Sequence, residues 1–192
     1  MCAMIREISS GGVVVRAIDG VWHIALIEPQ KTEPQKEDSR ASDSPGNNSQ
    51  PTKPSRKKVR AVLCLPKGLV DAGEKAEAAA IREVFEETGI VAEAITKLLD
   101  IKYVYVRSWG DGQRVFKIVS FYLMKYVSGD IGNISPEMRI EVERALWIPL
   151  ADANKKMAYS GERKVVLQAQ EYLAERGLAQ KQNSSRRQKA GS

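Results

Sequence analysis

The sequence predicts an α/β fold in which helices cover both faces of a mixed β-sheet. Three observations predict it. Residues 75–88 form a strongly helical run, residues 162–176 repeat that spacing near the end, and between them lie β-branched and aromatic segments broken by turn residues. Helices before and after a mostly β middle each need to bury an apolar stripe, and a sheet between them accepts both. At 192 residues the chain is long enough for one well-buried domain with material left over. No internal repeat is evident.

The elements follow in order. Residues 12–18 and 21–27 are apolar and β-branched around Asp19-Gly20, a two-residue pair that suits a hairpin turn. Residues 29–60 are Pro, Ser, Asn, Lys and Glu with almost no apolar side chain larger than alanine. That composition buries too little surface to offset ordering entropy, so a disordered loop insertion is expected there rather than a second domain. Residues 59–65 read as a short strand leading into Pro66-Lys67-Gly68. A loop through Gly73 precedes the helix at 75–88, which Gly89 stops. Residues 95–106 and 114–127 read as β segments around Gly110-Asp111-Gly112, and residues 145–148 as a strand ended by Pro149. Val165, Val166, Ala169, Tyr172 and Leu173 give the last helix its apolar stripe. One domain is expected over residues 1–178, with a flexible basic tail at 179–192. Trp22, Trp147 and Cys64 are expected in the core. Trp109 suits a stacking platform or a packing residue equally, and His23 is given no role.

Composition narrows the function classes. A hydrophobic fraction of 43% is ordinary for a soluble domain. No apolar run approaches the roughly 18 residues of a membrane span, and residues 1–7 lack a signal-peptide core. Two cysteines make no disulfide framework, so cytoplasmic residence is the expectation. The net charge of +6 suggests nucleic acid, but its placement does not. Residues 29–60 carry eight Lys/Arg against four Asp/Glu and residues 181–192 carry four cations, which leaves the rest of the chain at −2. The basicity sits in the insertion and the tail, and no specific nucleic-acid partner is expected.

The chemistry concentrates in the first helix. Glu83, Glu86 and Glu87 stand at i, i+3 and i+4, within an arc of roughly 100°. Ile81, Val84 and Phe85 occupy a comparable arc nearly opposite, so one face is expected to pack on the core and the other to present negative charge. Like charges at this spacing destabilise a bare helix, and something cationic is expected between them. Clustered hard oxygen donors suit Mg²⁺ or Mn²⁺. Ala76, Ala79 and Ala80 border the acidic face and leave room for ions and substrate.

Gly68, Glu74, Arg82, Glu83, Val84, Glu86, Glu87, Gly89 and Ile90 match in full the Nudix box, G-x5-E-x7-R-E-U-x-E-E-x-G-U with U aliphatic. The chain thus resembles the Nudix hydrolases. The resemblance implies an α/β/α sandwich and metal-dependent hydrolysis of a nucleoside diphosphate linked to another moiety. It implies Glu83, Glu86, Glu87 and the backbone carbonyl of Gly68 as metal ligands. Arg82 would orient the glutamates, together with Glu74, which could instead cap the helix. Glu83, Glu87 and Glu141 are all candidates for the general base, and Glu143 suits a solvated loop residue.

Pro66-Lys67-Gly68, Ser10-Gly11-Gly12-Val13-Val14, the segment 115–126 and the segment 158–164 are similar to the branch that cleaves dinucleoside polyphosphates such as diadenosine tetraphosphate, giving ATP and AMP. Lys67, Arg114 and Lys117 would hold the phosphates. Tyr159 would stack on a base, or pack between helix and sheet. Other expectations are (oxidised) nucleoside triphosphates, ADP-ribose or RNA 5′ ends as substrates, or a binding module without catalysis. A monomer or homodimer acting on a small nucleotide is expected.

Overall fold

The computed structural model describes residues 5–30, 62–107 and 112–176. Asp19 and Gly20 both take positive φ, 49° and 73°, the backbone of a turn that matches strand twist. They join β1 (Ile5–Ile18) to β2 (Val21–Pro29), paired antiparallel from Val15↔Ile24 to Ile18↔Val21. Then come β3 (Lys67–Leu69), α1 (Ala76–Thr88), β4 (Ile90–Val106), β5 (Arg114–Gly129), a 3₁₀ turn (Met138–Ile140), β6 (Val142–Pro149), α2 (Leu150–Lys156) and α3 (Ser160–Glu175). The sheet runs β4-β5-β1-β2-β6, with β3 added beside β1. β1 and β5 are parallel from Ile5↔Val115 to Val15↔Lys125, while the other pairs are antiparallel. The sheet is mixed, as the sequence predicts.

Alternation along β1 feeds two cores. Val14 packs with Ala80 and Val84 of α1 and with Ile90 and Met124 on one face. Val13 and Val15 pack with Leu150 and Ala153 of α2 and with Val165, Val166, Ala169 and Leu173 of α3 on the other. The result is an α/β/α sandwich. Trp22 and Trp147 are only partly buried and pack against opposite cores, whereas Cys64 is buried. Gly89 ends α1 at φ 77° with its N–H bonded to Phe85 O at 2.8 Å. A Cβ there would lie 2.4 Å from Asn133 O, so both conformation and space favour glycine.

Several expectations are corrected. Residues 62–65 do not form a strand: Leu63 bridges Met157 and Cys64 bridges Ile27 singly, and the strand is β3 just beyond. β4 starts at Ile90, directly after the helix stop, rather than at residue 95. α2 was not anticipated, because it buries only Leu150 and Ala153 and offers no long apolar period. The largest correction concerns α1. Phe85 is 54% exposed, while Glu83 and Glu87 are only 7% and 6% exposed. Ala79 and Ala80 are fully buried core residues rather than the rim of a site. Of the insertion expected at 29–60, Pro29 instead ends β2, and residues 31–60, Trp109 and the tail at 179–192 lie outside the described residues. No described helix is long and apolar enough to cross a membrane.

Candidate active site

The register of β3 on β1 distributes the residues of Pro66-Lys67-Gly68. Gly68 pairs with Ser10 and Lys67 with Gly11, and paired residues share a face of the sheet. Gly68 therefore faces α1 with Val14, and Lys67 faces α3 with Val13. A Cβ on residue 68 would stand 2.1 Å from the carboxyl carbon of Glu83. Only glycine lets that carboxylate lie against the strand.

Arg82 organises the acidic cluster. Its Nε and Nη2 donate to the two oxygens of Glu74 at 3.1 and 2.9 Å. Nη1 donates to Glu83 at 2.8 Å and Glu86 at 2.9 Å, and Nη2 also reaches Leu69 O at 2.9 Å. These bonds match the five N–H donors of a guanidinium. Glu74 accepts in addition from the Asp71 N–H at 3.1 Å. It ties the loop to Arg82, and α1 has no side-chain cap.

Glu87 accepts from the Lys67 N–H at 2.7 Å. Burial pushes its carboxyl up to about 8 against the opposing pull of Lys67, and the charges of Glu83 and Glu141 add to the rise. Burial likewise raises Glu83, partly offset by Arg82. The exposed side chain of Glu141, at the end of the 3₁₀ turn, is thus near enough for its charge to bear on both buried glutamates. Glu143 is exposed on β6.

On the α3 face a cleft of about 890 Å³ is lined by Lys67, Lys102, Lys117 and Lys164 and by Tyr103, Tyr105 and Tyr159 among others. The glutamates of α1 do not line it. Lys67 joins the two regions, with its N–H on Glu87 and its ammonium 3.3 Å from Glu162 in the cleft wall. Burial opposes the charge of Lys67, but Glu162 and Glu87 outweigh it and hold the ammonium charged. The structure therefore brings Lys67, Lys117 and Tyr159 to one cleft. It does not bring Arg114 there; that residue is exposed at the head of β5.

Sequence reasoning missed Glu162, Glu7, Tyr103 and Tyr105. Glu7 accepts from Tyr105 Oη at 2.9 Å and Arg107 Nη2 at 2.7 Å, with Lys117 Nζ 3.6 Å away. The two tyrosines stand at i and i+2 with ring centroids 6.2 Å apart. That spacing on a strand places them on one face and was the signal available.

Glu83, Glu86, Glu87 and the Gly68 carbonyl could hold a divalent cation. Their chemistry fits: they are hard oxygen donors, and two are buried carboxylates whose charge burial opposes. Among the described residues no three acidic, His or Cys side chains converge as a metal site. Arg82 engages one oxygen each of Glu83 and Glu86, and the Lys67 N–H one oxygen of Glu87, so each carboxylate keeps a second oxygen for a cation.

The NUDIX domain family model matches residues 49–169, more than half of the chain. A Mycobacterium tuberculosis protein named "Putative mutator protein MutT4" is 31% identical over 169 residues, which cover 88% of this chain and 56% of that protein. The 8-oxo-(d)GTP phosphatase of Mycolicibacterium smegmatis is 33% identical over 102 residues, 53% of this chain and 28% of that one. The chain thus spans about half or less of these curated relatives. Among solved structures, a C. elegans Ap4A hydrolase superposes with a TM-score of 0.58 at 23% identity, covering 88% of this chain and 98% of that one. The NUDIX domain of Shewanella oneidensis NrtR gives 0.57 at 18% identity, covering 89% of each chain. At these identities the solved structures bear on the fold alone. The family match, the sandwich and the acidic helix agree: the chain belongs to the Nudix family, whose members hydrolyse pyrophosphate bonds.

Proposed function

We propose that this protein is a metal-dependent pyrophosphohydrolase that cuts a dinucleoside polyphosphate such as diadenosine tetraphosphate into ATP and AMP. The observation that supports this reading is the cleft. Four lysines and three tyrosines line it, and Lys67 connects it to the acidic cluster. A bridge of four phosphates needs cations beyond those at the reacting phosphorus, and bases stack on aromatic rings. Lys67, Lys117, Lys102 and Lys164 are assigned to the phosphates and Tyr159 to one base. Arg114 is not assigned.

Glu83, Glu86, Glu87 and the Gly68 carbonyl would hold Mg²⁺ or Mn²⁺, which when bound would supply Lewis acidity to the phosphate oxygens and to a water. Arg82 keeps Glu83 and Glu86 on one side of α1 through paired hydrogen bonds. Glu141 is assigned as general base, because Glu83 and Glu87 are engaged by Arg82 and the Lys67 N–H while the Glu141 side chain is exposed beside them. It takes the proton of the attacking water as the new P–O bond forms and the bridging P–O bond breaks.

A second reading is hydrolysis of a nucleoside triphosphate, including an oxidised one. The name of the Mycolicibacterium smegmatis relative favours it. Incubating the protein with diadenosine tetraphosphate, 8-oxo-dGTP and ADP-ribose, with Mg²⁺ and Mn²⁺, and resolving products by chromatography decides between them. ATP and AMP in equal amounts are expected. Two ADP would contradict the cut position, and a kcat/KM for 8-oxo-dGTP about tenfold above that for the dinucleotide would favour the second reading.

A further inference from the structure

We propose that Glu162 is a positioning residue of this site, holding residues 65–68 from α3 so that Lys67 N–H and Gly68 meet Glu87 and Glu83 of α1. The inference deepens the reading of the acidic cluster as the metal-binding site and rests on it. Glu162 lies in the first turn of α3 and is only 4% exposed. Each of its oxygens has a partner in the same short segment. Oε2 accepts from the Leu65 N–H at 2.9 Å, and Oε1 stands 3.3 Å from Lys67 Nζ. One contact holds the backbone at Leu65 and the other the side chain of Lys67 two residues on, so the segment is tied to α3 at both points.

The helix itself does not need this carboxylate. Val165, Val166, Ala169 and Leu173 already fasten α3 to the sheet, and an apolar side chain would serve packing better than a buried charge. The segment does need a clamp. β3 makes a ladder of only three residues, flanked by single bonds from the Gly12 N–H to Pro66 O at 3.1 Å and from the Val70 N–H to Ile8 O at 3.0 Å, and the Ile27–Cys64 pair holds the chain before it. From this segment the Lys67 N–H holds Glu87 at 2.7 Å, and Gly68 provides the space for Glu83. A carboxylate on one face of the sheet thereby sets the geometry of carboxylates on the other.

The test uses the full chain with Glu162→Leu, which removes both bonds, and Glu162→Gln, which keeps an acceptor for Leu65. Three quantities are read: amide hydrogen exchange at Lys67 in metal-free protein, Mn²⁺ affinity by electron paramagnetic resonance, and kcat and KM on the nucleotide the wild type cuts best. In the leucine variant the Lys67 amide is expected to lose protection and Mn²⁺ affinity and kcat to fall roughly 10–100-fold, with KM nearly unchanged. The glutamine variant should lie between it and the wild type. A folded leucine variant with wild-type protection, affinity and kcat would overturn the proposal, leaving Glu162 as helix packing only. If the unpaired Lys67 prevents folding, Lys67→Met with Glu162→Leu removes both charges. Low Mn²⁺ affinity in that double variant supports the proposal, and wild-type affinity overturns it. Exchange and Mn²⁺ binding do not depend on the substrate. A wild type that cuts no nucleotide would therefore defeat the functional reading while these two still decide the role of Glu162.

Discussion

Arg82 commits its guanidinium to Glu74, Glu83, Glu86 and Leu69 O; the glutamate partners are those the Nudix resemblance implies, while Leu69 O had no signal in the sequence. Nor did the burial of Glu83 and Glu87. An apolar-in reading of α1 put Phe85 inside, but the place where Cβ is missing, Gly68, is where a carboxylate fits. Gly68→Ala is accordingly expected to displace the Glu83 carboxylate and lower kcat by at least about tenfold, measured with folding checked by circular dichroism. A wild-type rate in a folded variant would show that the contact does not matter. Cys64 supplies a second prediction at this scale. Burial is the main cause that pushes its thiol from 9.0 up to about 12. At pH 8 it is then a neutral thiol with almost no thiolate to react. In a Cys2→Ser background, iodoacetamide at pH 8 should leave Cys64 unmodified until urea unfolds the chain. The same raised value means that its contribution to stability is full below pH 9 and is lost as pH rises towards 12.

At the level of elements, the turn at Asp19-Gly20, the helix stop at Gly89 and the two long β segments followed from local chemistry, and so they were readable. The register of β3 on β1 was not, since a three-residue ladder carries too little pattern to reveal its partner. That register sends Lys67 to α3 and Gly68 to α1, and through it Glu162 enters the site from nearly a hundred residues away. The ends of the segment between β2 and Leu63 are also held together. Ile27 and Cys64 exchange N–H···O bonds of 2.9 and 3.0 Å. Replacing residues 31–57 by a short Gly/Ser linker should thus keep Tm and kcat/KM within a few-fold, because loop length affects closure entropy only logarithmically. A collapse of either would show that the segment packs on the domain or takes part in binding.

Across the whole molecule, the sheet separates two chemical environments and β3 joins them at one end. The acidic cluster lies with α1, the lysine and tyrosine cleft lies with α3, and Lys67 belongs to both. In the proposed reading the first is the hydrolytic site and the second the surface that binds the substrate. The proposed function requires the glutamates of α1 to act with a divalent ion on a nucleotide pyrophosphate. The most direct measurement compares wild type and Glu86→Gln, both stripped with a chelator, across a nucleotide panel before and after adding Mg²⁺ or Mn²⁺. No turnover is expected in the stripped wild type, recovery with the ion, and a kcat at least about 10²-fold lower for a folded Glu86→Gln. A wild type silent across the panel with both ions, or a Glu86→Gln that matches it at saturating Mg²⁺, would contradict the proposed function.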